Sequence, residues 1–150
     1  MGVDVNGVKE ILTDLVQTLH DSQENFRKAA ERAQSSEMKL MLMDFATERA
    51  RFAGELQNEI LRLGDPDPPD WGTFKGSLQR TFMGLKVALA HDRDRVLLQE
   101  CERGEDAVIE KYGEALRNEL PRYIREMLEY QLEEIGASRV HLQAVEQQVS

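Results

Sequence analysis

Apolar residues recur at three- and four-residue intervals through four long stretches of this chain, the period of helices that bury one face. In the first, from Asn6 to Ala33, the stripe is Val8, Ile11, Leu12, Leu15, Leu19, Phe26, Ala29, Ala30 and Ala33, with Asp14, Asp21, Glu24 and Glu31 opposite. Asn6 is a suitable N-cap. Gln34-Ser35-Ser36 breaks the pattern, and either serine can cap a second helix running from Glu37 to Leu63. Its stripe is Leu42, Phe45, Ala46, Phe52, Ala53, Leu56, Ile60 and Leu63, and Gly64 is a C-terminal stop. So short a link predicts antiparallel neighbours.

Pro66, Pro68 and Pro69 then exclude helix, and Trp71 is expected to anchor this stretch. A shorter helix is predicted from Thr73 to Ala90, with Phe74, Leu78, Phe82, Leu85 and Leu89 as its stripe. A third long helix begins near Asp92 or Asp94 and runs to Asn118, burying Leu97, Leu98, Cys101, Val108, Tyr112, Ala115 and Leu116. Leu120-Pro121 marks a turn. The last helix continues to Gln148 on the stripe Ile124, Met127, Gln131, Ile135, Ser138, Leu142, Val145 and Val149. The pattern predicts one all-α domain over residues 1–150: an antiparallel four-helix bundle whose long crossover contains a short extra helix.

A few polar residues point into these stripes. At about 100° per residue, Arg49 falls at the centre of the second helix's apolar face. Glu105 lies roughly 30° from the centre on the third helix, and Gln131, Glu134 and Ser138 within about 40° on the fourth. Ser22 and Gln23 interrupt the first. Counting about 1.5 Å per residue from each turn brings Gln23, Arg49, Glu105, Gln131, Glu134 and Ser138 to one height. Arg49 is therefore expected to pair with Glu105, with Glu134 or Gln131 as second acceptor. Such a layer fixes the register of helices. Alternatively, carboxylates inside a four-helix bundle are where metal sites are built.

Composition narrows the functions. Charged residues are 31% of the chain and the formal net charge is −9, which repels nucleic-acid phosphates and anionic membranes. No apolar run approaches membrane-spanning length. The start, Met-Gly-Val-Asp-Val-Asn, has neither a basic flank nor an apolar signal core, so a cytoplasmic location is expected. The single cysteine, Cys101, falls on an apolar face and excludes an intrachain disulfide framework. Met38 fits the core stripe, whereas Met41 and Met43 spread around the helix.

Four segments carry a resemblance: Asn25-Phe26-Arg27-Lys28-Ala29-Ala30-Glu31, Glu48-Arg49-Ala50-Arg51-Phe52-Ala53-Gly54-Glu55-Leu56-Gln57, Leu61-Arg62-Leu63-Gly64 and Glu100-Cys101-Glu102-Arg103-Gly104-Glu105-Asp106-Ala107. With them the chain resembles a group of uncharacterised bacterial four-helix-bundle proteins with a ferritin-like domain, within the ferritin-like superfamily. The resemblance implies the bundle and no particular activity. Di-iron members of that superfamily place a Glu on each of two helices and Glu-x-x-His on each of the other two. Here Glu24 projects away from the apolar face, Arg51 stands where a His belongs after Glu48, and Ser138 stands where a Glu belongs before His141. A central Arg49 would also repel a dication. No cofactor is therefore expected, the alternative being iron or manganese held by Glu105, Glu134, Glu48, Glu102 and His141. The expected role is non-catalytic, through a homo-dimer or another protein partner, with neither nucleic acid nor membrane; the alternative is a divergent metal-binding protein or oxidase.

Overall fold

Four helices account for nearly all of residues 4–64 and 93–148, which the computed structural model describes: α1 (Val5–Arg32), α2 (Ser36–Arg62), α3 (Arg93–Leu116) and α4 (Arg122–Gln148). No strand occurs among the described residues. The proline stretch with Trp71, the expected helix from Thr73 to Ala90 and the stripe position Val149 lie outside them.

The helix ends follow from local chemistry. Asp4, not Asn6, caps α1: its carboxylate accepts from the Asn6 N–H at 3.2 Å. An acidic cap also meets the positive end of the helix dipole. Ser35 caps α2, its hydroxyl accepting from the Met38 N–H at 3.2 Å. Gly64 ends α2 at φ 91°, a left-handed conformation that a Cβ disfavours. Asn118 closes α3 by donating its side-chain amide to Glu114 O and Ala115 O, and the Pro121 carbonyl accepts the first bonds of α4 from Ile124 and Arg125.

Side-chain pairs set the directions. Asp94, at the start of α3, accepts from the Gln34 and Ser35 N–H groups at 2.8 and 3.2 Å, while Lys111 lies 3.6 Å from Asp14. α3 is therefore antiparallel to α1. Tyr112 meets Gln131, and Arg139 meets Asp106, which makes α4 antiparallel to α3. α1 packs on both α2 and α3, and α4 packs on α3. The side chains of Gln131 and Ser138 reach Glu55 and Glu48 to close the ring between α4 and α2. α2 and α3 thus run parallel across the diagonal, and α2 ends at the opposite end of the bundle from where α3 begins.

The core is in two parts. One apolar cluster gathers Leu12, Leu15, Leu19, Phe52, Leu56, Ile60, Tyr112, Ile124, Leu128 and Ile135. The other gathers Phe26, Ala29, Met38, Leu42, Ala46, Leu97, Leu98, Cys101 and Leu142. Between them, at mid-height, lie the buried polar side chains Ser22, Asn25, Arg49, Glu105, Gln131 and Ser138.

Candidate functional site

Arg49 projects from the inner face of α2, with no exposed surface, between Ala46, Phe52 and Ala53. One amine of its guanidinium donates to Glu105 Oε2 across the bundle diagonal, and the other donates to Glu48 Oε1 on its own helix. Its guanidinium carbon lies 5.4 Å from the centroid of the Phe26 ring, within reach of the cation–π attraction. A buried guanidinium cannot shed its charge, so two carboxylates and an aromatic face are what desolvation demands.

Glu105 is 1% exposed. Burial pushes its carboxyl up to about 7, against the pull of Arg49, and the charges of Glu48 and Asp106 push the same way as burial. A carboxyl in that range is half ionised near neutral pH. Its other oxygen, Oε1, finds no hydrogen-bond partner among the described residues, and neither do Arg49 Nε and Asn25 Oδ1.

The expected second acceptors take other partners. Gln131, fully buried, accepts from the Tyr112 hydroxyl at 2.7 Å and donates to Glu55 at 2.9 Å and to the Phe52 carbonyl at 3.5 Å. Burial pushes the Tyr112 hydroxyl pKa up, so it stays a donor. Glu134 is half-buried and enters only through its backbone carbonyl, which accepts from Ser138 at 3.2 Å. The Ser138 hydroxyl also lies 3.4 Å from Glu48 Oε1. Gln23 is half-buried beside His20, with Oε1 at 3.4 Å from Nδ1, and the inward places on α1 belong to Ser22 and Asn25. The Ser22, Asn25, Phe26, Ala29 spacing is the sequence signal for Asn25. Glu48 carries a weaker signal, because it stands one residue from Arg49, off the apolar face, and joins the layer by side-chain length.

The alternative metal ligands are engaged separately. Glu48 and Glu105 both face Arg49. Glu102 and Asp106 hold Arg139 at 2.9 and 2.8 Å on the outer side of α3 and α4. Glu102 is pushed up by burial, which Arg139 opposes and Glu146 reinforces. His141 is exposed and packs edge-on against Phe45, ring centroids 5.8 Å apart. Among the described residues no group of three or more His, Cys, Asp or Glu side chains converges on one point. The donor set does not fit a di-metal centre, since a fixed cation lies between the two inner carboxylates. Cys101 is buried and its thiol pKa is pushed up by burial, so it remains an unreactive thiol on the apolar side of Glu105. Met38 is buried, Met41 packs partly against the second cluster and Met43 is exposed, so the three do not converge as soft ligands.

Residues 8–118 match the family described as a domain of unknown function, DUF2383, and the chain belongs to that family. No curated protein matches the chain. Among the described residues no helix is long and apolar enough to cross a membrane.

Proposed function

We propose that the protein is a ferritin-like helical bundle in which an ion-paired layer stands where a di-metal centre would lie, and that it acts without catalysis, by pairing with a second copy of itself. The observation that carries this reading is an apolar groove between α2 and α4 that no other described residue fills. The groove, of about 630 Å³, is lined by Met38, Leu40, Met41, Phe45, Ala144 and Val145 among others. Leu40 is 68% exposed on one rim, and Val140, one turn before Ala144, is equally exposed. Contiguous apolar surface of this kind marks an interaction site. A symmetric pair would place the same groove on both sides of a two-fold axis and cover both rims.

The rim carries Glu37 and Asp44, so two copies meet with like charges at the edge. Salt therefore tightens this dimer by screening that repulsion. Sedimentation equilibrium over a concentration series tests the reading. A dimer that strengthens with salt and is lost in Leu40→Glu is expected. A wild-type chain that stays monomeric throughout, or turnover of an oxidisable substrate with dioxygen by the purified protein, would overturn it.

A further inference from the structure

The α2–α4 groove alone is short for a stable pairing. Met38 to Phe45 cover about 12 Å of α2, whose 27 residues rise about 40 Å. Two helices side by side are about 20 Å wide. The groove end therefore offers roughly 250 Å² per copy, against about 800 Å² in a stable interface. Among the described residues, the whole α2–α4 side offers about that larger area. Two stripes run along it. On α4, Tyr123, Tyr130, Ala137 and Ala144 recur every seven residues, all exposed, Tyr123 at 48% and Tyr130 at 52%. None of the four is charged, in a chain that is 31% charged. On α2, Glu37, Asp44, Arg51 and Asn58 recur at the same spacing, also exposed. A seven-residue repeat drifts only about 20° per step, so each stripe keeps to one side of its helix. Glu37, Asp44 and Ala144 line the groove, and Asn58 shares a second hollow with Met127 toward the other end, which puts both stripes on the α2–α4 side.

Charge selects the axis. Glu48 lies level with Ser138, and Glu55 with Gln131. Between antiparallel helices this register sets Asp44 level with Leu142, beside His141, and Arg51 level with Ile135, close to Glu133. A two-fold axis across the helices at the groove overlaps the groove ends alone and sets Glu37 against the partner's Asp44, acid on acid. An axis along the helices leaves every height unchanged and still brings groove to groove. It faces Asp44 with the partner's His141 and Arg51 with the partner's Glu133, which is complementary.

We propose, resting on the self-pairing above, that the two copies lie side by side in the same direction, α2 of each against α4 of the other, with the Tyr123, Tyr130, Ala137, Ala144 stripe as the apolar seam. Cross-linking of single-cysteine variants of the full chain tests it, with the buried Cys101 left in place. Asn58 and Tyr130 are exposed and nearly level in the register of α2 and α4. When Asn58→Cys and Tyr130→Cys chains are mixed, a short bis-maleimide is expected to link one kind to the other, and neither to its own kind. Leu40→Cys chains are expected not to link to one another. In sedimentation, Arg51→Glu is expected to weaken the dimer about tenfold, and Glu133→Arg added to it to restore the affinity. Leu40→Cys chains that link to one another while the mixed pair does not would leave the groove pairing standing and overturn this arrangement. Asn58→Cys chains that link to one another, or a charge reversal that Glu133→Arg does not rescue, would overturn it too. A wild type that sediments as a monomer throughout would overturn both this arrangement and the pairing it rests on.

Discussion

Arg49 and Glu105 respond differently to losing each other, because only one of them can give up its charge. If Arg49 is replaced by Met, Glu105 takes a proton and becomes a neutral carboxylic acid, while Glu48 keeps its one-fifth exposure to water. If Glu105 is replaced by Leu, a guanidinium with no exposed surface is left with Glu48 alone. Urea denaturation at pH 8, where the Glu105 carboxyl is ionised, should therefore find Glu105→Leu less stable than Arg49→Met by on the order of 2 kcal/mol. Equal stabilities would contradict the pairing. A pH dependence follows from the same carboxyl. Its folded value, about 7, lies above the ordinary 4.5, so the folded state holds the proton more tightly than the unfolded chain. The stability it contributes is complete below about pH 4.5 and is lost as the pH rises through about 7. The stability of the wild type relative to Glu105→Gln should fall across that window. A difference that stays flat or rises would show that Arg49 outweighs burial. The inward direction of Arg49, Glu105, Gln131 and Ser138 is legible in the sequence, because each interrupts an apolar stripe. The partners are less so. A helical projection gives the direction of Cβ, not the reach of a side chain, which is why Glu48 takes the place expected for Gln131 or Glu134.

At the scale of elements, the joints depend on single polar residues. Asp94 holds the turn between α1 and α2 through two backbone amides while opening α3. Asp94→Ala should cost about 0.5–1.5 kcal/mol, because these exposed amides lose a charged acceptor that water only partly replaces. Hydrogen exchange should show the loss first at Gln34 and Ser35; unchanged protection there would remove Asp94 from this role. The four long helices are plain in the sequence because apolar periodicity persists over many turns. Their ends are less plain. Asp4 and Asn6 are both good caps, and Asp4 takes the position through its bond to the Asn6 N–H. Leu128, fully buried, sits beside the expected Met127, which is only partly buried, a shift of one position within the same stripe. The contact between the start of α3 and the first turn could not be read from periodicity, since it joins residues 60 positions apart in the chain.

For the whole molecule, the layer at mid-height splits the core into two apolar clusters and fixes how the halves register. That arrangement gives the bundle a polar centre with one ionic diagonal, from α2 to α3, and among the described residues an apolar groove lies on the α2–α4 side. Leu40→Glu is expected to disrupt association without lowering the stability of the monomer, because Leu40 is exposed and contributes little to the core. A parallel loss of thermal stability at dilutions where the wild type is itself monomeric would count against it. Arg49, held by Glu48 and Glu105, occupies the middle of the bundle, and the proposed function has it there instead of a metal. The most direct test is elemental analysis of protein purified without a metal-affinity tag, with iron, manganese and zinc quantified per chain. No stoichiometric metal is expected in wild type. Stoichiometric iron or manganese, lost in Glu105→Gln while the helices remain, would contradict it and make the carboxylates around Arg49 ligands.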